Sequence, residues 1–330
     1  MLTYDLKTGY SCNNRCKHCV IEDSRDKLVE QKNSIDLDTE DCFHQVDYAV
    51  SQEAEYIVLT GGEVTIRKDF SKLVDYCVQK GLNITIQTNG RRLHMPEVAQ
   101  TISACSRIRC VVALHGACPD THDEITQVTG SFDETCEGIR YATQHGILTI
   151  LKVVISKKNR DELPGIVKLA GELGVHYICF AFPHGQGGAR KRFDEMVPTY
   201  SELRPNLDLL IKEAKAYHIQ IEFEAIPFCM IPHDMQLVGE LKYRFGDTIC
   251  TQVGEIPFDW AEVRKSIKSK APQCERCSMG SICEGVWSEY IDAYGGSEFV
   301  PISVPEQMKE RLIAALERRY AHSDEQRTNL

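Results

Sequence analysis

Short apolar runs that return at intervals between amphipathic stretches constrain this chain more than any other feature. Runs at 56–60, 84–88, 108–115, 148–155 and 177–182 read as strands, and an opening strand at 4–11 brings the number to six. Between them Phe70, Leu73, Val74, Cys77 and Val78 fall on one helical face, with Gly81 as the stop. Ser131 and Glu134 have the spacing of a capping box for a helix ending near Gly146, and Ile166, Leu169, Ala170 and Leu173 mark another helix before Gly174. Strands alternating with helices through short connections predict a parallel sheet with right-handed crossovers. Six such units predict an α/β fold, a partial (β/α)6 TIM-like barrel, with ligands gathering at the C-terminal ends of the strands. A helix at 201–217 and a strand at 219–225 close this first domain, 1–225.

Beyond 225 the pattern gives way to irregular, cysteine-bearing sequence, read as a small second domain at 226–298. In the last segment, 299–330, Met308, Leu312, Ala315 and Leu316 recur at helical spacing among charges, which predicts a docked surface helix over 305–320 and a frayed tail after about 321. A chain of 330 residues, 42% apolar, can bury a core in a large domain and another in a small appendage. The net charge of −10 is spread along the length, and the longest basic block is Ala189-Arg190-Lys191-Arg192, so a nucleic-acid partner is not expected. No stretch has the roughly eighteen uninterrupted apolar residues of a membrane span, and the amino end lacks an export signal, so the expected location is the cytoplasm, away from membranes. In that compartment fifteen cysteines, an odd number partly gathered into tight groups, point to metal rather than disulfides.

The first group, Cys12-Asn13-Asn14-Arg15-Cys16-Lys17-His18-Cys19, follows the first predicted strand, where a loop can curl three thiolates around one small object. Soft thiolates select zinc or iron–sulfur clusters, and three ligands leave one metal position for a non-protein ligand. The second strand ends in Leu59-Thr60-Gly61-Gly62-Glu63, where glycines permit close backbone approach to a ligand and a carboxylate can accept from an ammonium group. Taken alone, the cysteines could be an incomplete zinc knuckle and the tripeptide an ordinary turn.

In order and spacing these two motifs resemble the radical S-adenosylmethionine superfamily, although Val64 stands where the family usually has proline. The resemblance implies a 4Fe–4S cluster on Cys12, Cys16 and Cys19, whose open iron chelates S-adenosylmethionine. It implies that Gly61, Gly62 and Glu63 meet the amino group of that cofactor. Further agreement comes from Thr88-Asn89-Gly90, from Leu114-His115-Gly116 and from the run Thr121-His122-Asp123 with Gly130-Ser131-Phe132. Asn89, His115 and His184 are expected at the cofactor, His184 and the glycines at 185, 187 and 188 on its adenosine. Lys152 could face the methionine carboxylate or be an ordinary strand cation, because alternation alone does not say which side points inward.

The second group, Cys274, Cys277 and Cys283, is followed by Trp287, Tyr290 and Tyr294. It resembles the auxiliary-cluster region of these enzymes, of SPASM or the shorter twitch kind, and implies a second 4Fe–4S cluster. Cys229 is the favoured fourth ligand and Cys250 the alternative; a four-thiolate zinc site is the competing reading. The cysteines at 42, 77, 105, 110, 118, 136 and 179 are most simply buried thiols, although Cys118 or Cys179 could return a hydrogen atom to a substrate radical.

The resemblance implies an enzyme that cleaves S-adenosylmethionine reductively, with an external one-electron donor such as flavodoxin or ferredoxin. The expected substrate is a peptide or a small metabolite. A twitch-type dehydrogenase or epimerase of a sugar or nucleoside is the alternative within the class. Outside it stands a zinc or iron–sulfur scaffold without catalysis, which leaves Gly61-Gly62-Glu63 unexplained. With about a dozen residues before Cys12, no fused N-terminal peptide-recognition domain is expected.

Overall fold

The computed structural model describes residues 1–244 and 246–321; the tail expected to fray after 321 lies outside them. Seven strands, β1 (Leu2–Lys7), β2 (Tyr56–Thr60), β3 (Asn83–Thr88), β4 (Ile108–Ala113), β5 (Leu148–Val154), β6 (Tyr177–Ala181) and β7 (Gln220–Glu224), lie side by side in chain order. Each is parallel to the one before it. Successive side chains leave a strand on opposite faces. One face sends Ile57, Leu59, Ile84, Ile86, Val112, Leu151, Val153 and Phe180 into the main core, where they meet Val46, Leu73, Ile102, Ile139, Ile166 and Leu207 from the connecting helices. Each such side chain contributes about 1.5–3 kcal/mol by leaving water. The sheet is open, since β7 is not paired back to the far end, and its other face is the inner wall of the partial barrel.

On that inner wall the register sets Asp5 beside Val58, Thr85 and Arg109 in one row, and Ala113, Lys152, Cys179 and Glu222 in another. Charge on a sheet face is unusual where that face is packed as core.

Three expectations are revised. β1 ends at Lys7, not near residue 11: Tyr10 N–H donates to the Ile35 carbonyl (2.8 Å), which turns the chain out of the sheet into the cysteine loop. The helix Ser131–Gln144 is not closed by a capping box; its N-cap is Gly130, and Asp123 instead accepts from the Gly130 and Phe132 N–H groups and from the Ser131 hydroxyl (2.6, 2.8 and 2.8 Å). A carboxylate borrowed from the preceding helix thus satisfies the free N–H groups at that terminus. Third, the stretch 226–298 does not stand apart from the sheet. Its β8 (Asp247–Cys250) pairs in parallel with the outer side of β1, and β9 (Phe258–Asp259) follows antiparallel to it. Among the described residues, β10 (Lys268–Ser269), β11 (Val286–Trp287) and the helix Ser288–Tyr294 form a small unit with its own two-stranded sheet. The final helix, Glu306–Ala321, docks through Leu312, Ile313 and the buried Leu316, while Met308 stays exposed.

Candidate active site

The loop leaving β1 is fixed from several sides. Gly62 and Glu63, at the end of β2, donate their N–H groups to the carbonyls of Gly9 and Ser11 (2.7 and 2.8 Å). A Cβ on Gly61 would stand 2.1 Å from the Gly9 oxygen, and one on Gly62 2.1 Å from that of Ser11, so larger residues would push β2 away from the loop. Arg15 and Lys17 N–H groups donate to the Thr126 and Ile125 carbonyls, both at 2.9 Å. From the turn after β3, Arg91 donates to the Asn13 carbonyl (2.6 Å) and to Asn14 Oδ1 (2.8 Å), and Asn89 Nδ2 donates to Asn13 Oδ1 (2.7 Å).

Within this cradle burial raises the Cys16 and Cys19 thiols above their ordinary range, and Cys16 is raised further by the charges of Cys19 and Cys12. A bound metal, which takes thiolates, reverses that penalty. The His18 Nδ1 is buried without a partner, and ring nitrogens of His18 and His115 lie with Cys16 Sγ within 4.8 Å of one another. A buried polar atom left unpaired in protein alone marks a place for a further group. Three thiolates on one loop, at the C-terminal ends of parallel strands, fit a four-iron cluster with one iron free of protein ligands.

Glu63 is 2% exposed. Its Oε1 accepts from the Thr65 N–H and hydroxyl (3.1 and 2.6 Å) and from the Thr88 hydroxyl (2.6 Å), while Oε2 accepts from the Asn89 N–H (2.6 Å). The carboxylate braces the end of β2 against the end of β3, and Oε1 has no acceptor capacity left for an ammonium group. His115 is 3% exposed; its Nδ1 accepts from the Val154 N–H (3.3 Å), and its ring meets that of His18 edge to face at 4.5 Å. Burial and the charges of His18 and His122 hold its imidazole well below the usual range, so it is neutral.

Lys152 does point to the inner wall, but toward β6 and β7. Its Nζ pairs with Glu224 and approaches Cys179 Sγ at 3.3 Å. Lys242 bridges Glu222 and Glu224 (2.8 and 2.9 Å), and the Tyr177 hydroxyl donates to Glu222 (2.6 Å). Despite burial, the Lys152 and Lys242 ammonium groups hold Glu224 well below the usual carboxylate range, and burial with the Glu224 charge holds Cys179 as a thiol. The sequence reading missed these partners; their signal was Glu222 and Glu224 alternating with Ile221 and Phe223 along one strand. Cys118 lies elsewhere, its sulfur 3.7 Å from the Thr121 hydroxyl and from Glu162 Oε1. His184 turns to the C-terminal unit: its ring stacks on Trp287 at 4.0 Å, and Nδ1 lies 3.4 Å from Glu289. Gly187 and Gly188 pack on the cysteine loop itself, with Gly188 N–H donating to the Cys19 carbonyl (2.9 Å).

The second group gathers as well. Cys229, Cys274, Cys277 and Cys283 line one cavity with Phe228 and Met279. Burial pushes Cys229 up to about 12, helped by the charges of the other three. Backbone N–H groups of Gly285 and Ile302 approach Cys283 and Cys277 sulfurs at 3.4 and 3.5 Å, as donors to thiolates would. Cys250 is not among them; it stands on β8 in register with Asp5.

The sequence pattern of the Radical SAM superfamily matches residues 6–170, half of the 330-residue chain, from β1 into the helix Leu163–Glu172. The chain belongs to this superfamily, whose members are enzymes built around a 4Fe–4S cluster and S-adenosylmethionine. It is similar to the AdoMet-dependent heme synthase of Methanosarcina barkeri, at 29% identity over 189 residues, 57% of this chain and 52% of that one. It is also similar to the mycofactocin maturase MftC of Mycolicibacterium smegmatis, at 29% identity over 212 residues, 64% of this chain and 51% of that one. The chain thus spans about half the length of the curated relatives it matches. In fold it is similar to Streptococcus suis SuiB, solved with its precursor peptide SuiA: TM-score 0.62, 16% identity, covering 92% of this chain and 75% of SuiB. The structure of anSMEcpe with bound AdoMet gives TM-score 0.62 and 12% identity over 98% of this chain and 99% of that one.

Proposed function

We propose that this chain cleaves S-adenosylmethionine reductively on a cluster held by Cys12, Cys16 and Cys19, and turns the resulting radical on a peptide. When bound, the cluster supplies one electron to the sulfonium, yielding methionine and a 5′-deoxyadenosyl radical that takes a hydrogen atom from the substrate. The observation that carries this reading is three thiols in one pinned loop at the C-terminal ends of the strands. Gly61 and Gly62 bring backbone close to that loop, Asn89 and Arg91 hold its first half, and neutral His115 walls it beside Cys16. Glu63 serves as the brace behind these groups. The Lys152, Glu224, Lys242 and Glu222 network gives the inner wall fixed charge that can orient a polar substrate. Buried ion pairs of this kind add little stability over apolar packing, which favours a role in binding.

Cys229, Cys274, Cys277 and Cys283 would hold a second, auxiliary 4Fe–4S cluster in a SPASM- or twitch-like unit. His184 stacked on Trp287 joins that unit to the end of β6. The peptide reading is supported by the maturase relative and by the SuiB likeness. A small-metabolite reading keeps a place because a heme synthase is equally similar. Thiol clusters of this kind suit a reducing cytoplasm and an electron donor of the flavodoxin or ferredoxin class.

Anaerobic reconstitution tests the reading. About eight irons per chain are expected, falling to about four when Cys12, Cys16 and Cys19 are replaced by alanine, with loss of 5′-deoxyadenosine formation. Zinc without iron, or undiminished 5′-deoxyadenosine in the triple variant, would overturn it. Incubation with synthetic precursor peptides and, separately, with iron porphyrins, read by mass spectrometry, distinguishes the two substrate classes.

A further inference from the structure

The longest basic block in the sequence pairs within the molecule. Arg190, Lys191 and Arg192 lie across the acidic start of the helix Glu22–Glu30, which begins three residues after Cys19. Arg190 pairs with Asp23 at 3.0 Å, Lys191 with Glu22 and Asp26 at 2.9 and 2.6 Å, and Arg192 with Glu22 at 3.4 Å. On the other side of Cys19, Lys17 pairs with Glu195 at 2.5 Å and with Glu124 at 3.1 Å. Lys158 closes that square through Glu124 at 2.7 Å. Between the two ionic contacts the backbones touch. Gly188 N–H donates to the Cys19 carbonyl (2.9 Å), and beside it Gly187 N–H donates to the Asp23 carboxylate (3.1 Å).

The glycines are required by this contact. Gly187 has φ +55°, and a Cβ there would lie 2.3 Å from the Cys19 oxygen; one on Gly188 would lie 2.6 Å from the Lys17 oxygen. A segment that follows β6 therefore lies over the loop that follows β1 and grips it on both sides of Cys19. Exposed ion pairs are weak singly, but here they converge on one loop whose shape the metal ligands depend on.

We propose that residues 186–195 form an ionic clasp that keeps the cysteine loop in its cluster-binding shape, with Gly188, Arg190, Lys191, Arg192 and Glu195 as positioning residues. The inference rests on the reading of that loop as the cluster site. The clasp makes retention of this cluster depend on ionic strength, because its outer half is screened by salt.

The test uses the full chain with Arg190, Lys191 and Arg192 all changed to glutamine, and a second variant, Gly188→Ala. In the metal-free chain, Cys19 should be alkylated about tenfold faster in either variant, while Cys229 in the other cysteine group is unchanged. In the reconstituted chain, an iron chelator should strip wild-type protein faster at about 0.5 M than at about 0.05 M salt, a dependence the triple-glutamine variant loses. Equal acceleration at Cys19 and Cys229 would mean general loosening and overturn the clasp, as would unchanged rates at both. A wild-type chain that takes up no iron defeats the cluster reading and not the clasp, which the alkylation arm still decides.

Discussion

Replacing Glu63 by glutamine separates a brace from a cofactor ligand. The carboxylate accepts four hydrogen bonds, three on Oε1 and one on Oε2, in a site 2% exposed. An amide places an N–H2 at one of these positions. Set at Oε2 it faces the Asn89 N–H, and set at Oε1 it faces three donors, so the first arrangement is preferred. One buried N–H is then left unpaired, at about 1–3 kcal/mol, and the three surviving bonds lose their charge assistance at roughly 0.5 kcal/mol each. Glu63→Gln should therefore destabilise the chain by about 3 kcal/mol, visible as a lower urea midpoint in the metal-free protein. Affinity for S-adenosylmethionine, measured on the reconstituted protein at a temperature where both chains are folded, should change little. A variant as stable as wild type that binds the cofactor tenfold more weakly would refute the brace and return Glu63 to the ammonium group.

Three further outcomes are expected. Burial and the Lys268 charge lower His184 from 6.5 to about 4; between those values the unfolded chain binds a proton that the folded chain refuses, so stability falls as pH drops through the window. The shift is worth about 3 kcal/mol at its acid end, and His184→Phe, which keeps a ring on Trp287, should flatten urea stability plotted against pH between 6.5 and 4. Cys229→Ser should lower iron by about four per chain in metal analysis while Cys250→Ser leaves it unchanged. Cys179→Ala should leave 5′-deoxyadenosine and product unchanged, with the thiol acting as packing beside Lys152; loss of solvent-derived deuterium from the product would make Cys179 a hydrogen donor instead.

Periodicity located the strands well because it reports one-sided burial, which is local. The run expected at 56–60 is β2, and those at 84–88, 148–155 and 177–182 differ from β3, β5 and β6 by one residue at an end. The opening strand was overextended because Tyr10 is buried like a strand residue although it packs against Ile21, Leu28 and Val253 outside the sheet. β8 was invisible: four residues, Asp-Thr-Ile-Cys, carry no period, and their partner lies some 240 residues earlier in the chain. The cysteine spacing pointed to both groups, and Cys229 was favoured only through the resemblance of Ile226-Pro227-Phe228-Cys229 to a first-ligand segment; the fold sets it in one cavity with Cys274, Cys277 and Cys283. Partners of charged groups were not legible. Nothing local says that Lys152 will meet Glu224 or that Arg190 will meet Asp23, since such pairs are made by topology after the strands are laid down.

The strand that bears the cysteine loop is roofed on both flanks, by β2 on one and by β8 on the other. A shortened chain stopping at residue 225 would keep all seven barrel strands yet strip Leu2 to Asp5 of their second partner. Bare amide and carbonyl groups along β1 would then offer themselves to a neighbouring molecule, and the trimmed protein should self-associate through its own amino-terminal strand.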